Sequence, residues 1–179
     1  FDSCDDAPCV ECLQNSDCYF EDTNFRLDNQ PAVSQIAGGT LTMDKVAVSG
    51  YQGIQTAIRV ANGKVQLVDS VFCDSMGTDL GAAISFVGST VDATNCVFAN
   101  NTGIGNGIVL RGGQARFEGC LFENYVDQVE SIALLLRVDQ EVLLYNCSFR
   151  GIPRSFVQQT RSNARFEMVR IGDTRGALF

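Results

Sequence analysis

Val91-Asp92-Ala93-Thr94-Asn95-Cys96-Val97-Phe98 is the stretch that decides how the whole chain is read. Small or apolar residues hold its first, third, sixth and eighth places, so the alternation has period two at each end and slips by one residue in the middle. A single strand keeps one alternation and a helix repeats every three to four residues; the slip therefore marks two short strands meeting at a corner. Asn95, at the fifth place, is a residue type that tolerates the left-handed backbone a sharp corner demands.

Outward from this unit, the same pattern recurs in both directions. Toward the N-terminus it reads Val65, Leu67, Ser70, Phe72; then Leu41, Met43, Val46, Val48; then a degenerate Cys18, Phe20, Thr23, Phe25. Toward the C-terminus it reads Ala115, Phe117, Cys120, Phe122; Val142, Leu144, Cys147, Phe149; and Ala164, Phe166, Val169, Ile171. Successive first places, from 18 to 164, are 22 to 27 residues apart. The fifth places are Asp22, Lys45, Asp69, Asn95, Gly119, Asn146 and Met168, with Met168 out of character for a corner. A third apolar segment precedes four of the units, at Ala57 to Val60, Ala83 to Phe86, Ile108 to Leu110 and Leu134 to Leu136. Each is followed by a turn pair: Asn62-Gly63, Gly88-Ser89, Gly112-Gly113 and Asp139-Gln140. Three strands per coil of about 24 residues predict an all-β chain, a right-handed parallel β-helix of about seven coils over residues 18–179, with residues 1–17 as a cysteine-rich N-terminal cap.

Such a coil resembles those of the pectin-lyase-like superfamily, over Cys18 to Phe179. A leucine-rich repeat of similar period would need an L-x-x-L-x-L pattern with a helical segment, and neither is present. Phe98-Ala99-Asn100-Asn101 and Gly81-Ala82-Ala83-Ile84 are also similar to the F-x-x-N and G-G-A-I repeats of chlamydial polymorphic outer-membrane proteins, which implies an adhesin-like role.

Coils stacked about 4.8 Å apart place equivalent residues over one another. Phe72, Phe98, Phe122 and Phe149 are expected to form an inward aromatic ladder, with Phe25 and Ile171 at its ends. Cys96, Cys120 and Cys147 share the sixth place beside it and are read as small buried hydrophobes, with one disulfide rung as the alternative. Cys4, Cys9, Cys12 and Cys18, spaced C-x4-C-x2-C-x5-C, are expected to tie the cap with two disulfides in one of three connectivities; four-cysteine zinc is the rival. Cys73 should face outward.

Eight cysteines, four of them in the first 18 residues, favour an oxidising, extracytoplasmic compartment. The chain opens on Phe1, which points to a processed form or a fragment. Its 13 basic and 21 acidic residues form no basic run, which excludes nucleic acid as the main partner. The longest apolar run, Ile132–Leu136, is far short of the roughly 20 residues needed to cross a bilayer.

The resemblance to catalytic β-helices implies a column of aspartates with an arginine or lysine. Here the outward second places read Tyr19, Thr42, Gln66, Asp92, Arg116, Leu143, Arg165, and the fourth places Glu21, Asp44, Val68, Thr94, Glu118, Tyr145, Glu167. Neither column groups aspartates, the N-x-D, D-D and G-H-G set is absent, and the chain has no histidine. The carboxylate pairs Glu21/Asp44 and Asp92/Glu118 meet the spacing a glycosidase needs, as chance pairs on an acidic solenoid also would. Asp74, Asp79, Asp127 and Glu130, on the longest loops, are a weak signal for calcium or sugar. No catalytic residue, metal or cofactor is assigned.

The seventh place says more. It should point outward, yet it reads Ala47, Val71, Val97 and Leu121 in four consecutive coils, an apolar strip of the kind that marks a partner surface. Val109 and Leu135, outward on the third strand, would widen the apolar surface on another face. Leu178 and Phe179 stand where a next coil would begin, with nothing to cap it. Asn100, in Asn100-Asn101-Thr102, is the credible glycosylation acceptor; Asn146 is poorly placed at its corner. These features predict a non-catalytic structural or interaction module, docking on a protein partner or a continuation of its own polypeptide, with a glycan as a further partner. The alternative is a carbohydrate-binding or polysaccharide-cleaving β-helix using the long-loop face.

Overall fold

The computed structural model describes residues 9–36, 38–53, 56–77, 84–103, 107–123, 132–136, 139–152, 154–158 and 162–172. Among them every regular element is a strand, and every strand pairing is parallel.

The chain winds as a parallel β-solenoid whose faces follow the eight-residue unit. Its first half forms face 1: Cys18–Glu21, Thr40–Asp44, Lys64–Val68, the second halves of Ile84–Thr94 and Ile108–Glu118, then Gln140–Tyr145 and Asn163–Glu167. First places stack in register, Cys18 on Leu41 on Val65 on Val91 on Ala115 on Val142 on Ala164. Its second half forms face 2, a seven-stranded sheet running from Asn24–Arg26 through Ala47–Ser49, Val71–Cys73, Val97–Ala99, Leu121–Glu123 and Ser148–Arg150 to Arg170–Gly172. Face 3 carries Val10–Cys12, Val33–Ile36, Ile58–Ala61, the first halves of the two long strands, Ile132–Leu136 and Arg154–Gln158. Each face stacks seven strands, one for each eight-residue unit, and the inner five have neighbours on both sides. A short fourth sheet, Gln52–Gly53, Met76–Gly77 and Thr102–Gly103, was not legible as a repeat.

The corner between faces 1 and 2 is left-handed in every unit: Asp22, Lys45, Asp69, Asn95, Gly119, Asn146 and Met168 have φ between 47° and 64°. Met168 adopts it as well, so register overrides residue preference there. From Asp22 to Asn146, the N–H of the fifth place donates to the fourth-place carbonyl of the next rung, and from Ala47 to Arg170 the seventh-place N–H donates to the sixth-place carbonyl of the rung before. The slip in the pattern thus lets the chain turn without dropping the ladder.

Inside, Phe72, Phe98, Phe122 and Phe149 are stacked with centroid spacings of 5.2, 5.0 and 4.6 Å. Phe117 meets Phe98 and Phe122 edge-on, and Phe25 is buried at the lower end against Phe20. In the last described rung the core thins: Ile171 and Val169 are half-buried, while Phe166 is 41% exposed and Met168 61%.

Two expectations need correction. Val109 and Leu135 lie outward of their strand but are only 2% and 5% exposed, covered by the chain's own atoms. Bare branched side chains on a sheet forfeit about 1.5–3 kcal/mol each, which such cover recovers. The sixth-place cysteines are free thiols, as buried as expected, but they are not simple hydrophobes. Cys96 Sγ donates to Thr94 O (3.4 Å), Cys120 Sγ lies against Glu118 O (3.5 Å) and Ala93 O (3.6 Å), and Cys147 Sγ against Tyr145 O and Phe117 O (both 3.4 Å). Ser70 does the same one rung earlier, with Oγ 2.7 Å from Val68 O while accepting the Val46 N–H at 3.0 Å. The backbone N–H groups of Ser70, Cys96 and Cys120 likewise support the sulfurs of Cys96, Cys120 and Cys147. From Ser70 to Cys147 the sixth place is a polar latch for main-chain groups that the corner turns inward, whereas Val46 and Val169 fill it as hydrophobes.

At the N-terminal end Cys12 and Cys18 form a disulfide with Cα atoms 6.3 Å apart, and Cys9 is also disulfide-bonded. With these thiols oxidised, a four-thiolate zinc site lacks its ligands. Cys4 lies outside the described residues. Val10–Cys12 joins face 3 directly, Val10 stacking on Val33.

Candidate functional site

Face 2 turns one column inward to the phenylalanine ladder and two outward. Because side chains alternate along a strand, the places flanking each inward eighth-place residue must face out. Ala47, Val71, Val97 and Leu121 do so in direct register. Val71 is 36% exposed and the other three are half-buried. Beside them on the same strands run Ser49, Cys73, Ala99 and Glu123, with Ala99 buried.

The strip has polar edges. Along the first corner stand exposed Lys45, Asp69 and Asn95; along the second, exposed Asp74 and Asn100, both left-handed with φ of 54° and 52°. Asn100 Nδ2 donates to Asp74 Oδ1 at 3.1 Å. Asn101 is turned inward and buried, its Oδ1 accepting the Ser75 N–H at 3.2 Å and its Nδ2 donating to Phe72 O at 3.1 Å. The expected glycosylation acceptor is therefore exposed, while its neighbour locks the bend. Burial pushes the half-buried Cys73 thiol up to about 11, helped by a hydrogen bond to Asp74 and by its charge. Leu178 and Phe179 lie outside the described residues, as do Asp79, Asp127 and Glu130.

Face 1 is chemically different. Arg116 pairs with Glu118 (2.8 Å) and Arg165 with Glu167 (2.6 Å), each across one intervening residue of a single strand. Gln114 Nε2 donates to Glu141 at 3.2 Å and Tyr19 Oη to Glu21 at 3.2 Å. A shallow trough of about 470 Å³ runs over Asp92, Arg116, Leu143 and Arg165, and one of about 400 Å³ over Thr42, Gln66, Asp92 and Glu118. Of the two carboxylate pairs, Glu21 and Asp44 sit on adjacent rungs in register. In the other, Glu118 is engaged by Arg116, which stacks directly on Asp92. Among the described residues, no group of three or more cysteine or carboxylate side chains is placed to hold a metal ion. No described helix is long and apolar enough to cross a membrane.

Sequence reasoning located the outward column and missed two things around it: the face 3 cover and the bonding at the sixth place. Only the clustering of Ser and Cys at one repeat position hinted at the latter. Neither a family model, nor a curated protein, nor a solved structure matches this chain.

Proposed function

We propose that this chain is a non-catalytic interaction module of a larger extracytoplasmic assembly, presenting the outer side of face 2 and the exposed residues of the last described rung to a protein partner. The observation that carries the reading is the in-register outward column Ala47, Val71, Val97, Leu121 on a flat sheet of three-residue strands. The exposed Phe166 and Met168 support the second contact. Disulfides at one end suit an oxidising compartment. Kinship with the pectin-lyase-like β-helices, and an adhesin-like use akin to the chlamydial repeats, belong to the same reading, as does a glycan on Asn100.

Light scattering after size exclusion, over a range of concentrations, tests it. Self-association is expected for the isolated chain and should disappear when Val71 and Val97 are both replaced by lysine. A strictly monomeric 19.4 kDa species at every concentration, unchanged by the substitutions, refutes the reading.

The trough over Leu143, flanked by the charged side chains of Asp92, Arg116 and Arg165, favours a second reading, a carbohydrate-binding face. A screen of acidic and neutral glycans, with and without calcium, separates the two, because the lysine substitutions on face 2 leave that trough untouched.

A further inference from the structure

Cys96, Cys120 and Cys147 stand one above another at the same corner. The residues just before and after them are paired in register, Thr94 on Glu118 on Tyr145 and Val97 on Leu121 on Ser148. Each sulfur lies against the carbonyl two residues earlier, and those of Cys120 and Cys147 also meet the third-place carbonyl of the preceding rung, Ala93 O and Phe117 O. The shared fourth-place carbonyl keeps all three sulfurs at the same corner, on successive rungs. The neighbouring thiols, Cys147 first and then Cys96, together with burial push the ionisation of Cys120 well up.

Adjacent rungs are about 4.8 Å apart, inside the 4.4–6.8 Å Cα window of a disulfide, whereas two rungs, about 9.6 Å, lie outside it. With a small local approach of two rungs and rotation about χ1, which bring Cβ atoms about 4.8 Å apart into disulfide range, Cys120 can pair with either neighbour; Cys96 and Cys147 cannot pair with each other.

We propose that this column is an oxidation site that holds one disulfide at a time, always through Cys120, and that the bond can shift by one rung. The oxidant is a small peroxide, which reaches the column as the rungs transiently open. A sulfur of the column attacks one peroxide oxygen, the O–O bond breaks, and sulfenic acid and water result. The adjacent thiol then attacks that sulfenyl sulfur, forming S–S and releasing the hydroxyl, which leaves as a second water with the thiol proton. Two thiols give up two electrons and one peroxide becomes two waters. The third sulfur stays one rung from Cys120, the neighbour that thiol–disulfide exchange requires. Its attack on Cys120 Sγ forms one S–S bond as the other breaks, and the proton passes from the incoming to the departing thiol with no net redox change.

The test uses the full chain carrying Cys73→Ser, which removes the half-exposed thiol from the chemistry. Folded protein is treated with hydrogen peroxide, quenched by alkylation in denaturant, and mapped by peptide mass spectrometry. Expected are both a Cys96–Cys120 and a Cys120–Cys147 cross-link, with one column thiol per molecule still alkylated. Cys147→Ser should leave only the first cross-link and Cys96→Ser only the second, while Cys120→Ser should abolish both. All three substitutions place serine where Ser70 already serves the same corner, and circular dichroism checks each fold. Three unmodified thiols, direct oxidation to sulfinic acids, or a Cys96–Cys147 cross-link in any variant overturns the proposal.

Discussion

Cys120 offers the sharpest test of the sixth place, because two readings of it rank the same substitutions in opposite order. If the position simply buries a small apolar group, valine should fit well and serine poorly. The structure argues otherwise. Cys120 is fully buried, its thiol lies against Glu118 O and Ala93 O, and its sulfur receives the Cys96 N–H. Cys120→Val keeps apolar volume but removes donor and acceptor together, and leaving buried main-chain groups without partners costs about 1–3 kcal/mol. A sulfur partner is weak, so about 1–2 kcal/mol is expected. Cys120→Ser restores both roles in the way Ser70 fills them, accepting Val46 N–H at 3.0 Å and donating to Val68 O at 2.7 Å. Its cost is the small void left by sulfur, under about 1 kcal/mol. Cys120→Ala loses the bonds and opens a cavity as well, for about 2–4 kcal/mol. Urea unfolding gives the order, and hydrogen exchange at the Cys96 amide gives the cause: exchange should quicken in the valine and alanine variants but not in the serine variant. Valine as stable as wild type, with serine clearly worse, would refute the latch.

Phe122→Ala removes a ring stacked at 5.0 and 4.6 Å and should cost about 3–5 kcal/mol, against under about 2 for the half-exposed Phe166→Ala, measured by chemical denaturation. Gly113 has φ of 101°, and a Cβ there would collide with Ser89 O, so Gly113→Ala should destabilise by more than about 2 kcal/mol in the same assay. Met168→Gly should stabilise by about 1 kcal/mol, because Met168 holds a left-handed φ of 52° with its side chain exposed. Cys73, held at about 11 first by burial and then by Asp74, should react with iodoacetamide at pH 8 roughly a hundredfold slower than an ordinary thiol, and Asp74→Asn should recover part of that rate. Its folded pKa lies above the unfolded 9, so its share of stability is complete below pH 9 and fades as pH rises toward 11; alkaline unfolding midpoints should show that sign.

The register of this fold was legible because it depends on side-chain periodicity. The eight-residue unit that begins at Val91 places all seven first-place residues correctly, and even Met168 turns where its position requires. What could not be read depends on contacts between segments distant in sequence. Val109 follows the outward alternation of its strand faithfully, and only the folded chain shows that other atoms cover it. The cysteine column reads as apolar by residue type, because the orphaned corner groups that it satisfies exist only once rungs are stacked. At the candidate surface, the outward column was legible for the same reason as the core, being its complement on the same strands.

Size then constrains what the face 2 surface can do. Four rungs about 4.8 Å apart, two outward residues wide, give an area on the order of 200 Å², only part of it apolar because Ser49 and Glu123 stand in the second column. A stable interface needs about 800 Å² per partner. The strip alone is therefore too small, and a partner that grips it must also cross its polar edges, Lys45, Asp69 and Asn95 on one side and Asp74 and Asn100 on the other. That layout, apolar in the middle and polar at the rim, is the anatomy of protein interfaces. Both edges are made of corner residues whose N–H groups bond to the next rung, so the rim is as rigid as the sheet. A partner thus meets a surface with little ordering left to lose, and a shape-matched, flat partner, such as the sheet of another solenoid, gains most from it.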